Sequence, residues 1–441
     1  MTARALAVRI LQEYERGDDL IDHLIAKNFE HSGLSHTDKR LTNELVNGTL
    51  RWRIKIDWIL NRLYHGNAKK IPVKIVVILE LAVYQLLLLD KIPDYAAVHE
   101  AVKLAKNACG LYWGNLVNAI LRTYIRERDS LEEVISGLPE KLSLSINCSH
   151  PQWIIDRWID RYGQADTIKL CAYNNTNPVA SIRINTLKID KDRLLKILNS
   201  EGYQCEPGKY LDEFIRLDKL PDLRQDPNFL NGFFTIQDES AGLATHLLDP
   251  QPSDLILDVC AAPGGKTTHI AEIAPSSRIY AIDRYFKRLL LIRENSVRLG
   301  LANVSLICAD ATNFTGGGFD KILVDAPCSG FGVLSRRSDI RFKRESTQIN
   351  ELTELQHRLL ENAAQLLNTG GSLVYSTCTI EPDENELIVE RFLRTHPEFA
   401  ILEPNNEKIP EELIVDHKYI QSLPYQHNID GAFSVKLQKV T

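Results

Sequence analysis

The chain of 441 residues has no long apolar run, no close pairing of cysteines and no strong net charge. No stretch approaches the roughly 18 uninterrupted apolar residues that cross a bilayer, and Arg4 and Arg9 interrupt the N-terminus where a signal peptide is apolar. We therefore expect a cytoplasmic protein that does not enter membranes. The eight cysteines lack the spacing of a zinc knuckle or a disulfide framework, so we expect neither a metal nor disulfides.

A net charge of −6 at pH 7 argues against a protein that binds polyanions over its whole surface. The charge is uneven, because residues 1–128 carry roughly +5. Residues 51–70 interleave basic and aromatic side chains, which could contact phosphates and stack on bases. A helix with a solvated basic face explains the same pattern equally well.

Hydrophobic periodicity divides the chain into three parts and a connector, with no internal repeat. Residues 1–128 are helical in pattern and predict an all-α bundle. Residues 129–147 are polar and predict a connector, and residues 148–235 predict a small α+β module. From 236 to 441 strands alternate with helices, which predicts an α/β domain with a doubly wound, mostly parallel sheet.

The strand ends of this last region are the informative positions, because ligands bind beyond the carboxyl ends of parallel strands. The first strand ends near Asp258 and continues into the turn CAAPGGK at residues 260–266, whose small side chains let a ligand approach the backbone at a helix start. The second strand ends at Asp283, which suits the hydroxyls of a ribose. The third ends at Asp310, within reach of an adenine amino group.

The turn at residues 260–266 lacks the spacing of two familiar phosphate-binding loops. It has neither the G-x-G-x-x-G of dinucleotide-binding proteins nor the G-x-x-x-x-G-K of a P-loop, and Pro263 offers no amide donor. An adenosine without phosphates fits better, which predicts S-adenosylmethionine as the cofactor. A tight turn without a ligand would explain Gly264 and Gly265 but not the two acidic residues downstream.

Two cysteines follow neighbouring strands of the same region. Cys328 lies in DAPCSG after the fourth strand, and Cys378 lies in STCT after the fifth. A single such cysteine is more often a small core residue, but a pair at adjacent strand ends favours a nucleophile. A thiolate suits methylation of carbon 5 of a pyrimidine, because its addition to carbon 6 makes carbon 5 nucleophilic. Asp325 could then hydrogen-bond the amino group and N3 of cytosine.

Three segments of this region closely resemble the RNA (cytosine-5)-methyltransferases of the Sun/NOL/NSUN group: DVCAAPGGKTTHIAE, DAPCSGFGVLSRRSDIR and GSLVYSTCTIEPDENE. In the helical part, VHEAVKLAK and GNLVNAILR resemble NusB-type domains. The resemblance implies a NusB-like domain that binds RNA or protein, an accessory RNA-binding α+β module, and a Rossmann-like S-adenosylmethionine methyltransferase domain.

The resemblance also implies roles for individual residues. Cys378 is implied to be the nucleophile, and Cys328 to assist proton removal or product release. Lys266 is implied to reach both the methionine end of the cofactor and the target base. The implied contacts to S-adenosylmethionine are Cys260, Ala261, Ala262, Pro263, Gly264, Gly265, Lys266, Asp283, Asp310 and Asp325.

The implied substrate is a cytidine of 16S ribosomal RNA, by resemblance at position 967. We expect a monomer that acts on this RNA or on an early assembly particle and not on DNA. Arg336 and Arg337 are expected to neutralise phosphates near a flipped base, although surface arginines of a loop would look the same. Two alternatives remain: the same chemistry on transfer RNA, and a non-catalytic NusB-like assembly factor. The second predicts decay of the reactive residues, which are all present.

Overall fold

The computed structural model describes residues 1–17, 19–30, 32–66, 70–405 and 407–440. The chain forms two compact units. The first comprises Met1–Thr176 and Arg337–Lys343, and the second comprises Asn177–Arg336 and Arg344–Thr441. Within the described ranges, no helix is long and apolar enough to cross a membrane.

The first unit is built from helices. They are α1 (Ala3–Tyr14), α2 (Ile21–Glu30), α3 (His36–Arg51), α4 (Arg53–Leu63), α5 (Val73–Leu88), α6 (Asp94–Cys109), α7 (Leu111–Ser136), α8 (Glu140–Cys148), α9 (Gln152–Asn174) and, from late in the chain, α15 (Ile340–Lys343). α5 is buried on nearly every side, as its continuous apolar sequence predicts. Ser35 caps α3, since its hydroxyl accepts a hydrogen bond from the backbone N–H of Asp38.

The connector predicted at residues 129–147 is instead helical. α7 and α8 fill it, because Leu131, Ile135 and Ile146 are buried and provide apolar contacts for both helices. The polar residues that lie between these buried positions in the sequence form the solvent-facing sides of α7 and α8. α9, which the sequence assigns to the α+β module, also packs in the first unit, where Trp158 is fully buried.

α15 is held in the first unit by a buried guanidinium. Arg341 donates hydrogen bonds to the carbonyl oxygens of Arg51 at 3.1 Å, Ser149 at 3.0 Å and Asn174 at 3.3 Å. Burial lowers the pKa of Arg341 to about 9. The segment Ile340–Lys343 is therefore anchored among the helices of the first unit.

The second unit begins with a small antiparallel sheet in the order β2-β3-β1-β4. Its elements are β1 (Ala180–Ile184), α10 (Lys191–Ser200), β2 (Cys205–Pro207), β3 (Phe214–Leu217), α11 (Pro227–Leu230) and β4 (Phe234–Ile236). Ile182, Phe214 and Phe234 are fully buried, so the sheet has an apolar core.

A larger sheet organises the rest of the second unit. Its strands are β5 (Leu255–Val259), β6 (Arg278–Asp283), β7 (Val304–Cys308), β8 (Phe319–Asp325), β9 (Leu367–Thr377), β10 (Phe399–Leu402), β11 (Ile414–Val415), β12 (Tyr419–Ser422) and β13 (Ala432–Lys439). The accompanying helices are α12 (Glu239–Leu248), α13 (Gly265–Ile273), α14 (Phe286–Leu299), α16 (Ser346–Leu366), α17 (Glu386–Thr395) and α18 (Pro424–His427).

The strand order of this sheet is β11-β12-β13-β9-β8-β5-β6-β7, and β10 pairs with β13. The strands from β9 to β7 are parallel, whereas β13 runs antiparallel to β9. The predicted doubly wound, mostly parallel sheet is confirmed. Its parallel core brings the carboxyl ends of β5, β6, β8 and β9 to one edge, where the candidate site lies.

Candidate active site

The turn between β5 and α13 is tightly constrained by its own backbone. Gly264 has a φ of +100°, and its N–H donates to the carbonyl oxygen of Ala261 at 2.8 Å. Cys260 has a φ of +63°, a left-handed conformation that costs a non-glycine residue about 1–2 kcal/mol. A Cβ added at Gly264 would lie 3.1 Å from the side chain of Ile292 on α14, so glycine lets turn and helix pack closely.

Acidic residues lie at or just beyond the carboxyl ends of β5, β6 and β7. Asp258 is fully buried and accepts a hydrogen bond from the Thr267 hydroxyl at 2.5 Å; burial raises its pKa to about 7. Asp283 is 3% exposed and lies 3.2 Å from Arg288. Asp310 is exposed, and hydrogen bonds from Thr312 lower its pKa.

A buried arginine that sequence reasoning missed supports this turn. Arg183, in β1 of the small sheet, donates to the carbonyl oxygen of Gly265 at 2.8 Å and to the carboxylate of Glu272 at 3.0 Å. It is fully buried, so its charge is balanced by Glu272 on α13. The only sign in the sequence was a charged residue between two isoleucines of a strand.

The two predicted reactive cysteines lie together. The Sγ atoms of Cys328 and Cys378 are 3.2 Å apart. Their backbones run side by side, because Asp325 of β8 pairs with Ser376 of β9. A hydrogen bond with Cys378, together with burial, raises the pKa of Cys328 well above its usual value.

Lys266 and Asp325 form an ion pair beside these thiols. Lys266 Nζ lies 2.6 Å from Asp325 Oδ1, and the two side chains are 13% and 33% exposed. Burial lowers the pKa of Lys266, but the charges of Asp325 and, less strongly, Cys378 outweigh it, so the pKa is raised. Lys266, Asp325, Cys328 and Cys378 thus form one cluster, as the sequence predicts.

A buried carboxylate that sequence reasoning also missed holds the Cys328 turn. Glu384 Oε1 accepts hydrogen bonds from the N–H of Ser329 at 2.8 Å and from Gln356 at 3.0 Å. Gln356 also donates to the carbonyl oxygen of Pro327 at 2.9 Å. Burial raises the pKa of Glu384. Glu384 lies only six positions after Cys378, and this closeness in sequence was the one sign that it belongs to the site.

The two arginines predicted to contact RNA fall in different units. Arg336 forms ion pairs with Asp430 at 2.7 Å and Asp238 at 2.8 Å within the second unit. These carboxylates give Arg336 a structural role, and its phosphate contact stays a prediction. Arg337 is exposed and belongs to the first unit, and its contact with RNA also stays a prediction.

A separate cluster of polar side chains could ligate a metal ion, although the sequence predicts no metal site. The ligand atoms of Glu213, His246 and His269 lie within 4.8 Å of one another. His246 Nε2 is 2.5 Å and His269 Nε2 is 3.2 Å from Glu213 Oε1. Burial lowers the pKa of His269 to about 3, which keeps it neutral. The three residues are already paired with one another in this arrangement.

The edge of the sheet fits S-adenosylmethionine better than a phosphorylated nucleotide. The Oδ1 atom of Asp258 is buried and accepts no hydrogen bond from the residues that the structure describes. Carboxylates at the ends of β6 and beyond β7 suit a ribose and an adenine amino group. The only Lys at the turn, Lys266, is paired with Asp325, which disfavours a role in holding phosphates.

The parallel sheet, the small-residue turn after β5 and the acidic end of β6 define the fold class of the S-adenosylmethionine-dependent methyltransferases. Family models match three parts of the chain. They are the 16S rRNA methyltransferase RsmB/F family over residues 245–438, the NusB family over residues 1–126, and the ferredoxin-like domain of RsmF/B-like methyltransferases over residues 150–224.

Full-length relatives narrow this class to one family. The chain is 37% identical to the probable ribosomal RNA small subunit methyltransferase B of Synechocystis sp., with all of both chains covered. It is 34% identical to the protein of the same name from Bacillus subtilis, over 99% of both chains. The chain belongs to the ribosomal RNA small subunit methyltransferase B family. A crystal structure of a methyltransferase homologue from Pyrococcus horikoshii shares 31% identity, covering 68% of this chain and 99% of that chain, with a TM-score of 0.58.

Proposed function

We propose that this protein transfers a methyl group from S-adenosylmethionine to carbon 5 of a cytidine in 16S ribosomal RNA. The observation that carries the proposal is the Cys328 and Cys378 thiol pair, 3.2 Å apart beside the Lys266–Asp325 ion pair. Relatives that are named ribosomal RNA small subunit methyltransferases support the RNA class. The resemblance of the motifs supports position 967 as the target.

Cys378 is the nucleophile in this proposal. Its side chain is exposed at the end of β9, and the Lys266 ammonium favours its thiolate. The thiolate adds to carbon 6 of cytosine, and the displaced electron pair makes carbon 5 nucleophilic. Asp325 accepts a hydrogen bond from the amino group of the base and so orients the ring, and the Lys266 ammonium beside it stabilises the negative charge that develops on the ring. S-adenosylmethionine, when bound, supplies the electrophilic methyl group.

Cys328 completes the reaction in this proposal. Its pKa is raised because it hydrogen-bonds Cys378, so it keeps its proton while Cys378 is a thiolate. Once Cys378 is bonded to carbon 6, this interaction is lost. Cys328 then releases its proton to solvent, and the resulting thiolate accepts the proton from carbon 5. Loss of that proton restores the ring and breaks the bond to Cys378. The step releases a methylated base and a free thiolate.

The cofactor lies along the edge of the sheet in this account. The turn at residues 260–266 and Asp325 contact its methionine end, Asp283 the ribose, and Asp310 the adenine. Arg337 and the NusB-like helices contribute RNA contacts, and the protein acts as a monomer. The cofactor assignments follow from the strand order described above and from the family resemblance, and the RNA contacts follow from the resemblance alone.

Two variants test the assignment of the thiols. Cys378→Ala should abolish methyl transfer to 16S ribosomal RNA while S-adenosylmethionine still binds. Cys328→Ala should accumulate a covalent protein–RNA adduct, visible as a retarded band on a denaturing gel. Substantial turnover by Cys378→Ala, or no adduct with Cys328→Ala, would contradict the mechanism. Transfer RNA transcripts assayed in parallel distinguish the RNA substrate.

A further inference from the structure

The backbone around Cys328 and Cys378 is arranged so that the two sulfurs can bond. The residues that follow them are joined, because Ser329 Oγ and Thr379 Oγ1 lie 2.7 Å apart. The N–H of Gly332 donates to the carbonyl oxygen of Cys378 at 3.1 Å. Adjacent strands lie about 4.8 Å apart, which falls in the range of Cα separations of disulfides. The sulfurs need to approach by only about 1.2 Å to reach bonding distance.

The same pair is open to a dissolved oxidant. Cys378 is exposed, and the nearby Lys266 ammonium favours the thiolate, which is the form that attacks a disulfide. Another cysteine pair, Cys148 and Cys171 of the first unit, is also in contact, but Cys171 is fully buried. Cys148 is only partly exposed, whereas Cys378 is exposed, so an oxidant of the size of glutathione reaches Cys378 more readily than either cysteine of the other pair.

We propose that Cys328 and Cys378 form a reversible intramolecular disulfide when the protein meets a low-molecular-weight disulfide such as oxidised glutathione. The Cys378 thiolate attacks one sulfur of oxidised glutathione and releases one glutathione thiolate. Cys328 then loses its proton and attacks Cys378 Sγ, which expels the second glutathione. Two protein thiols are oxidised, and one glutathione disulfide is reduced to two thiols.

The disulfide removes the nucleophile from the reaction. Cys378 Sγ is then bonded to Cys328, so it has no thiolate to add to a base, and methyl transfer stops until a dithiol reduces the bond. This consequence for activity rests on the proposed function. The formation of the bond does not, because it depends only on the geometry and access of the thiols.

The test treats the full-length protein with oxidised glutathione, quenches it with acid, and measures intact mass and a non-reducing peptide map. The wild type should lose two hydrogen atoms and yield one linked peptide pair that contains Cys328 and Cys378. Cys328→Ser should instead retain one glutathione on Cys378. Cys308→Ser is the matched control, because Cys308 is also exposed but is not in the cluster, and it should form the same disulfide as the wild type.

Three results overturn the proposal: a wild type that retains glutathione on Cys378, a linked pair that contains only Cys148 and Cys171, or no reaction at Cys378. Methylation is measured on the same samples before oxidation, after it, and after dithiothreitol. The inference is supported if methylation activity is lost completely as the linked peptide forms and returns as dithiothreitol removes it. If the disulfide forms but the reduced protein never methylates RNA, the proposed function fails and the disulfide assignment stands.

Discussion

The ion pair between Lys266 and Asp325 offers a quantitative test of the site's geometry. Lys266→Met keeps the length of the side chain but removes its charge, and Asp325→Asn removes the charge of the partner with the least change in shape. Each variant leaves one partly buried charge without its counter-ion. Both are therefore expected to lower the free energy of unfolding of the second unit.

The exposure of the two side chains sets the expected size of this loss. Fully exposed ion pairs contribute about 0.2–1 kcal/mol, whereas breaking a buried pair costs about 3–5 kcal/mol. Lys266 and Asp325 are 13% and 33% exposed and 2.6 Å apart, so they lie between these cases. We expect each single variant to lose about 2 kcal/mol, with a coupling energy of at least about 1 kcal/mol.

A double-mutant cycle measures this coupling. Urea unfolding of the wild type, both single variants and the double variant is followed by circular dichroism. The transition that S-adenosylmethionine shifts to higher urea identifies the second unit, because a ligand stabilises only the unit it binds. The double variant should lose less stability than the sum of the single variants. Effects that add to within about 0.3–0.5 kcal/mol would show that the two charges do not interact.

Three further changes test individual residues. Asp283→Ala should weaken S-adenosylmethionine binding by about 1.5–3 kcal/mol, because hydrogen bonds to a charged acceptor contribute this much. A dissociation constant that is unchanged in calorimetry would contradict the assignment of Asp283 to the ribose. Burial raises the pKa of Asp258 to about 7 in the folded protein. Protonated Asp258 therefore stabilises the fold by on the order of 4 kcal/mol below about pH 4, and this contribution is lost as the pH rises to 7. Asp258→Asn should lack this pH dependence, and equal slopes of unfolding free energy against pH would refute it. Glu384→Ala should destabilise the fold by about 2 kcal/mol and slow methylation, because it removes the acceptor of the Ser329 N–H. Glu384→Gln keeps an acceptor oxygen and should retain stability and activity. If the two variants lose equal amounts of thermal stability and activity, the hydrogen bond from Ser329 is not the cause.

The architecture of the second unit could be predicted because its signals are local. Buried strands such as LILDV alternate with helices along the chain, and parallel strands with helical crossovers have few possible arrangements. The same reasoning predicted a connector at residues 129–147 and did not show that α7 and α8 occupy it. There the polar faces of α7 and α8 dominate the sequence, and the buried contacts of Leu131 and Ile146 depend on helices elsewhere in the first unit.

The candidate site was predictable to the extent that it consists of strand ends. Asp283, Asp325 and Cys378 follow directly from the rule that carboxyl ends of parallel strands converge. Arg183 and the ion pairs of Arg336 could not be predicted in this way. They depend on contacts between residues roughly 80 to 100 positions apart, and a charged residue in a strand or loop does not reveal its partner.

The central claim is that this protein methylates carbon 5 of a 16S ribosomal RNA cytidine and that Cys378 is the nucleophile of the reaction. Bisulfite mapping of 16S ribosomal RNA from cells that lack this protein tests it most directly, with the wild-type protein or Cys378→Ala restored from a plasmid. The account predicts one protected cytidine, at position 967, that disappears in the deletion, returns with the wild type and does not return with Cys378→Ala. An unchanged pattern of protected cytidines in the deletion, or full protection restored by Cys378→Ala, would contradict it.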